Sequence, residues 1–187
     1  MKKRRNSKKI LVISIVILIA VLICILLIFV PKPQENDESR AAIESMEDMV
    51  PNFGTDYSYT SGMGRDPLPV MTINDTDLVG AIEIPSLDLR APVADKGVKK
   101  TYFARWASGS PVKGKFRIMG NKNDVFSRLN KGIPGEMVIF TDMDGTRYEY
   151  TITTQFHLKD WAKADYDLML CYKVDDDTKF VLGCTRK

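Results

Sequence analysis

The sequence predicts a mostly β domain, closed or nearly closed into a β-barrel, with short helices and one preceding membrane-spanning helix. Three observations predict this fold class: an uncharged apolar run at Ile10–Val30, many short alternating strands after residue 70, and turn residues between those strands. Many short strands with turns favour a closed barrel because closure removes exposed strand edges.

The apolar run predicts an uncleaved signal-anchor helix. As a helix, Ile10–Val30 would reach roughly 31 Å, about the thickness of the hydrocarbon core of a bilayer. The basic segment Met1–Lys9 should stay cytoplasmic and send the remainder of the chain outward. The run ends in IFVPKP, which lacks the small residues of a signal-peptide cleavage site. We therefore expect a single-pass protein of the cell membrane whose main domain is extracytoplasmic.

The charge balance argues against a nucleic-acid partner. The formal charge of +3 includes six basic residues in the tail, so the rest of the chain is net acidic. Outside the tail, no segment concentrates basic and aromatic residues as a nucleic-acid surface does.

The extracytoplasmic part divides into two regions. Residues 31–77 are predicted to form a short amphipathic helix over Asn36–Val50, followed by a linker rich in Gly, Pro and Ser over Pro51–Pro69. Residues 78–187 are predicted to form the barrel domain. Its predicted elements are strands at Leu78–Pro85, Leu87–Val93 and Phe116–Gly120, helical turns at Asp124–Leu129, a hairpin at Met137–Thr153 around a D-G turn, and a final hairpin turning at Asp175–Thr178.

Few residues of the outer part have the chemistry for catalysis. Cys24 falls in the predicted span, which leaves Cys171 and Cys184 outside as two thiols or one disulfide. Cys171, at a strand end, is a candidate nucleophile, but we interpret it as a small apolar core cysteine. His157 is the single histidine of the chain. The sequence does not place these two together, and we interpret His157 as a surface residue. The acidic segments at Asp142–Gly145 and Asp175–Asp177 have the composition of turns, so we expect neither a metal ion nor a cofactor.

Four segments, in order, resemble the sortase family of membrane-anchored cysteine transpeptidases of Gram-positive bacteria. They are LVGAIEIPSLDLRAPV, SGSPVKGKFRIMGNKNDVFSRLNKGIPGEMVIFTD, DGTRYEYTIT and DLMLCYKVDDDTKFVLGC. The resemblance covers nearly all of residues 78–187, and the N-terminal anchor fits the family as well. It implies a sortase-like barrel.

The resemblance fails at the catalytic positions. Asn121 stands where the family has its histidine, Lys173 where it has its cysteine, and Lys179 or the adjacent Phe180 where it has its arginine. An Asn amide does not exchange a proton near neutral pH, and a lysine cannot form a thioester. Lys179 supplies charge without the forked donors of a guanidinium. We interpret the domain as catalytically degenerate.

The main hypothesis is therefore a binding module. Its peptide groove would include Asn121, Cys171, Lys173 and Lys179, and would hold a sorting-signal peptide, a pilin-like subunit or an active sortase. The two lysines favour an anionic group, such as a peptide carboxylate. One alternative is an active transpeptidase with Cys171 as a relocated nucleophile, and another is a structural protein that uses neither groove nor thiol.

Overall fold

The structure is a computed structural model that describes residues 34–50, 53, 64–160 and 164–187. The predicted basic tail and the apolar run at Ile10–Val30 lie outside the described residues, as does most of the predicted linker. Among the residues that are described, no helix combines the length and the apolar character needed to cross a membrane.

The described part of the chain is mostly β, as predicted. It contains the helix α1 (Gln34–Met49) and the strands β1 (Met71–Ile73), β2 (Thr76–Ile84), β3 (Leu89–Ala94), β4 (Ala104–Ser110), β5 (Gly114–Met119), β6 (Met137–Asp142), β7 (Arg147–Leu158), β8 (Leu168–Lys173) and β9 (Lys179–Arg186). Two single-turn 3-10 helices lie at Pro85–Leu87 and Leu129–Lys131.

The strands pair in the order β1-β2-β3-β4-β5-β8-β9-β7-β6, and β6 also pairs with β2. This second pairing of β6 joins the far end of the order back to its beginning. The β3–β4 and β5–β8 pairs are parallel, and the other pairs are antiparallel. Parallel neighbours need a long connection, so β5 and β8 are joined through the whole β6–β7 hairpin.

A glycine permits the close approach of β2 to β6. Gly80 has φ of +153° at a register shift of β2, and a Cβ atom added there would lie 2.2 Å from the carbonyl oxygen of Thr141. A side chain would therefore clash with the backbone of β6 and strain the backbone of β2.

The main core is filled by aliphatic and aromatic side chains of the strands. Three aromatics of the β6–β7 hairpin, Phe140, Tyr148 and Tyr150, are at most 2% exposed. Phe116 meets Phe140 edge to face at 4.8 Å between ring centroids. Phe126 and Leu129 are also fully buried.

The helix α1 packs on the strands rather than standing apart as part of a linker. Its side chains Ala42, Ile43 and Met46 are buried in a second apolar cluster that also includes Leu78 and Ala81 of β2. Residues Glu35–Lys187 accordingly form one compact unit. Met49, which shares the predicted apolar spacing, is instead 50% exposed.

The predicted hairpin at residues 137–153 is confirmed, and its turn is held by one carboxylate. Asp142 accepts hydrogen bonds from the backbone N–H groups of Asp144 (3.0 Å) and Thr146 (2.9 Å). The hydroxyl of Tyr148 donates to the other carboxylate oxygen at 3.1 Å. Burial raises the pKa of Asp142. These bonds explain the role of Asp142 at this turn, and the carboxylate of Asp144 pairs instead with Arg65.

Replacing Gly80 with alanine tests the β2–β6 contact. We expect Gly80→Ala to destabilise the protein by about 2 kcal/mol or more, because it adds backbone strain to the clash with Thr141. A matched control is Gly97→Ala, since an added Cβ there meets nothing within 4 Å. Thermal unfolding followed by circular dichroism should show a lowered Tm for the first variant only, and equal Tm values would contradict this role of Gly80.

Candidate functional site

The parallel pairing of β5 with β8 brings two strand ends together. In its register Met119 lies opposite Cys171, and the N–H of Gly120 donates to the carbonyl oxygen of Cys171 at 2.9 Å. The chain therefore leaves β5 at Asn121 beside the end of β8 at Lys173. These are the positions to which the sequence resemblance assigns the family's histidine and cysteine.

The turn after β5 is fixed by local hydrogen bonds. A Cβ on Gly120 would lie 2.4 Å from the ring of Phe126, so only glycine fits over this core residue. The carbonyl oxygen of Asn121 accepts from the N–H of Phe126, and its side-chain oxygen accepts from the N–H of Asn123, both at 2.9 Å. The side-chain oxygen of Asn121 is thus occupied, while its NH₂ group remains as a donor.

A cavity of about 600 Å³ opens at these strand ends. Asn121 and Lys173 both line it, so the structure brings together two of the four predicted groove residues. Cys171 and Lys179 are not part of its lining. The lining consists of Val98, Lys99, Lys100, Thr101, Phe103, Arg105, Met119, Gly120, Asn121, Lys122, Asn123, Lys173 and Val174. We call this cavity the strand-end pocket.

The strand-end pocket is lined by cations. Its five basic residues are Lys99, Lys100, Arg105, Lys122 and Lys173, and the described part of its lining includes no carboxylate, cysteine or histidine. Of the five, only Lys173 was predicted. Lys99, Lys100 and Arg105 lie on the loop before β4 and on β4, which the sequence did not connect to the site, and Lys122 follows the predicted groove residue Asn121.

One of these cations is tied to the helix α1. Lys100 Nζ donates to Glu38 at 3.2 Å, and the hydroxyl of Tyr102 donates to the same carboxylate oxygen. The hydrogen bonds from Tyr102 and Lys100 lower the pKa of Glu38. The helix thereby holds the loop that forms one wall of the pocket.

Cys171 is buried on the face of the sheet opposite the main core. Its side chain is 0% exposed and packs with Met169 and Val181. Its sulfur lies 3.6 Å from the carbonyl oxygen of Ile118. Burial raises the pKa of the Cys171 thiol to about 12, against opposing effects of the nearby charges of Lys179 and Arg117. At neutral pH the group is a protonated, inaccessible thiol.

Lys179 lies directly opposite Lys173 across the β8–β9 pair. Because side chains alternate between the faces of a strand, both lysines are on the same face as Cys171. Lys179 is half-buried and close enough to influence the thiol electrostatically. It therefore borders the cysteine cluster rather than the strand-end pocket.

His157 does not meet Cys171. Its ring contacts Phe180 edge to face at 5.6 Å, and Phe180 stacks on Tyr172 at 5.0 Å. Tyr172 and Phe180 belong to the main core, on the opposite face from Cys171. His157 is exposed, as a surface residue should be.

The possible disulfide between Cys171 and Cys184 is not formed. Both thiols are free and buried, and Cys184 lies opposite Leu168 in the strand register. The two side chains are in different clusters on opposite faces of the sheet. Burial also raises the pKa of Cys184 to about 12.

The acidic turn between β8 and β9 folds onto itself. Asp175 accepts hydrogen bonds from the backbone N–H groups of Asp177 (3.0 Å) and Thr178 (2.7 Å). Those contacts use its carboxylate locally, and the Thr178 bond lowers its pKa most. Across the described ranges, no cluster of His, Cys, Asp and Glu side chains is suited to a metal ion.

Comparison with solved structures finds sortases. The chain has a sortase-like fold. Sortase A of Corynebacterium diphtheriae aligns at 15% identity with a TM-score of 0.52, over 79% of this chain and 83% of that one. Sortase C1 of Streptococcus agalactiae aligns at 17% identity with a TM-score of 0.53, over 79% of this chain and 89% of that one. Sortase C-3 of Streptococcus pneumoniae aligns at 16% identity with a TM-score of 0.52, over 82% of this chain and 81% of that one. No family model and no curated protein matches the sequence.

A cysteine at position 173 of this sortase-like fold tests where the accessible strand end lies. Lys173 is exposed, whereas Cys171 two residues earlier is fully buried. In the Lys173→Cys variant we expect iodoacetamide at pH 8 to label position 173 and to leave Cys171 unlabelled until urea is added. Peptide mapping by mass spectrometry separates the cysteines. Rapid labelling of Cys171 in the folded chain would contradict its burial.

The raised pKa of Cys171 also predicts that the protein loses stability at alkaline pH. The folded state holds the thiol proton up to about pH 12, while the unfolded state releases it near the ordinary value of 9.0. The stability due to this proton is present below pH 9 and is lost as pH rises toward 12, at up to about 1.4 kcal/mol per pH unit. Urea unfolding between pH 8 and 10.5 should show a shallower decline for Cys171→Val than for the unaltered chain. Equal slopes would contradict the shift.

Proposed function

We propose that this protein is a membrane-anchored, extracytoplasmic sortase-like protein that binds a partner at the cell surface without transferring it. The candidate partners are a sorting-signal peptide, a pilin-like subunit or an active sortase. The observation that carries the proposal is that Asn121 and Lys173 line one pocket at the strand ends while the nearby thiol of Cys171 is buried.

The chemistry of acyl transfer supports this reading. A thiolate nucleophile, an acid or base that moves a proton, and a donor to the developing oxyanion must meet at one site. The lining of the strand-end pocket offers lysines, one arginine and amides. Amides do not exchange protons near neutral pH, and an acyl group passed to a lysine would become an amide too inert to be passed on. The pocket therefore has the groups to hold a ligand and lacks those that would cleave one.

The alternative, an active transpeptidase using Cys171, requires the fold to open. Cys171 lies beneath the side chains of Met119, Phe156 and Leu158, and its sulfur contacts the backbone of β5. His157, the single histidine available as a base, is on the other face of the sheet. No observation in the described residues favours this alternative.

The membrane location rests on the sequence. The basic segment Met1–Lys9 and the apolar run Ile10–Val30 have the order and length of a signal-anchor.

Intact-mass spectrometry of the full chain with a pool of sorting-signal peptides tests the absence of transfer. We expect no covalent adduct, because no accessible thiol lies at the strand ends, and noncovalent retention of peptide on the same samples. The matched control is the double variant Asn121→His and Lys173→Cys, which supplies a thiol and a proton carrier at those positions and should form a thioester adduct with the peptides it retains.

A covalent adduct in the unaltered chain that disappears in Cys171→Ala would overturn the proposal in favour of a relocated active site. If the peptides neither form an adduct nor are retained, the result would favour the structural alternative. In that case capture of an active sortase or a pilin-like subunit by the full chain would be the remaining test of binding.

A further inference from the structure

The strand-end pocket concentrates positive charge in a small volume. Five cations line a cavity of about 600 Å³, and none of its lining residues within the described ranges is acidic. Lys100 is partly neutralised by Glu38 from outside the pocket. The side chains of the other four, Lys99, Arg105, Lys122 and Lys173, form no hydrogen bond or ion pair with any described residue. Like charges gathered this way repel each other, so the pocket carries an electrostatic cost that an anion would relieve.

The polar groups of the pocket mostly donate hydrogen bonds. Lysine and arginine side chains are pure donors. The side-chain oxygen of Asn121 is taken by the N–H of Asn123, which leaves the NH₂ group to offer. The backbone N–H of Gly120 is taken by Cys171. A ligand in this pocket must therefore supply acceptors, as an oxyanion does.

The number of cations favours a multivalent phosphate over a single carboxylate. A guanidinium fork fits both carboxylate and phosphate, and lysines bind phosphate as point charges. The pocket has one arginine and four lysines, and a single carboxylate would leave most of that charge unmatched. We propose that the strand-end pocket is a binding site for a multivalent phosphate-type anion. The phosphate site goes beyond the proposed function. It rests on that function in one respect, which is that the pocket binds a ligand and does not catalyse a reaction.

The pocket wall is held in place for this role. Glu38 of α1 bonds Lys100 and Tyr102, and Arg90 of β3 bonds Glu47 near the other end of the same helix. The helix therefore holds the loop that carries Lys99 and Lys100, so the backbone of this loop does not need to become ordered when the anion binds.

Isothermal titration of the full chain in neutral-detergent micelles, with inorganic phosphate, pyrophosphate and tripolyphosphate as probes, tests this assignment. We expect affinity to rise along that series and to fall with added salt. Arg105→Gln and Lys173→Gln should each weaken tripolyphosphate binding about tenfold or more. The control Lys131→Gln removes an exposed lysine outside the pocket and should change affinity less than about twofold.

Absence of binding at millimolar tripolyphosphate would overturn the inference, as would unchanged affinity in both pocket variants. An equal loss in Lys131→Gln would also overturn it, because it would indicate a general surface effect. Circular dichroism of each variant confirms that the fold is retained. Peptide retention without phosphate binding would overturn this inference and leave the proposed function standing. Phosphate binding together with a covalent peptide adduct would support this inference and overturn the proposed function.

The phosphate could come from a soluble compound or from a lipid headgroup. Repeating the titration in micelles doped with phosphatidylglycerol separates these sources. A weaker apparent affinity for tripolyphosphate in the doped micelles identifies the headgroup as an occupant of the pocket. An unchanged affinity assigns the pocket to a soluble phosphate.

Discussion

The site depends on one pairing, the parallel contact of β5 with β8. Four residues of each strand are in register, and the bond from Gly120 to Cys171 continues the pairing past the end of β5. This places the turn after β5 beside the end of β8, and the antiparallel β4–β5 pair adds Arg105 to the same edge. Every wall of the strand-end pocket is attached to these two pairings, so the pocket exists only when they do.

Much of the fold follows from local patterns in the sequence, and much of the site does not. The hairpins were predictable because turn residues and alternating strands lie next to each other in the chain. β4 was missed because ARWASGS has Ser and Gly in place of apolar alternation, and two register shifts interrupt its pairing. β1 was missed because it is only three residues long. Met49 shares the helical spacing of the buried α1 residues but lies at the last turn of the helix.

The site was half predictable for a related reason. Asn121 and Lys173 could be located because they interrupt segments that resemble sortases. Lys99 and Arg105 could not, because they come to the pocket through tertiary pairing. Lys122 adjoins Asn121, but a lysine in a loop ordinarily indicates only a solvated surface. The burial of Cys171 agrees with its interpretation as an apolar core cysteine, but its covering side chains could not be named, since they come from β5, β7 and the segment before β8. In this sortase-like fold an amide, Asn121, and a cation, Lys173, lie at the two strand ends.

The separation of β5 from β8 along the chain has a consequence for the order of folding. Ile118 and Cys171, which touch through a backbone oxygen and a thiol, are 53 residues apart. Contacts between such distant segments form late, because a long loop must close before they stabilise anything. The pocket is therefore among the last parts of the molecule to be completed. A ligand bound there stabilises only the fully folded state. An occupied pocket would therefore indicate that folding of the domain is complete.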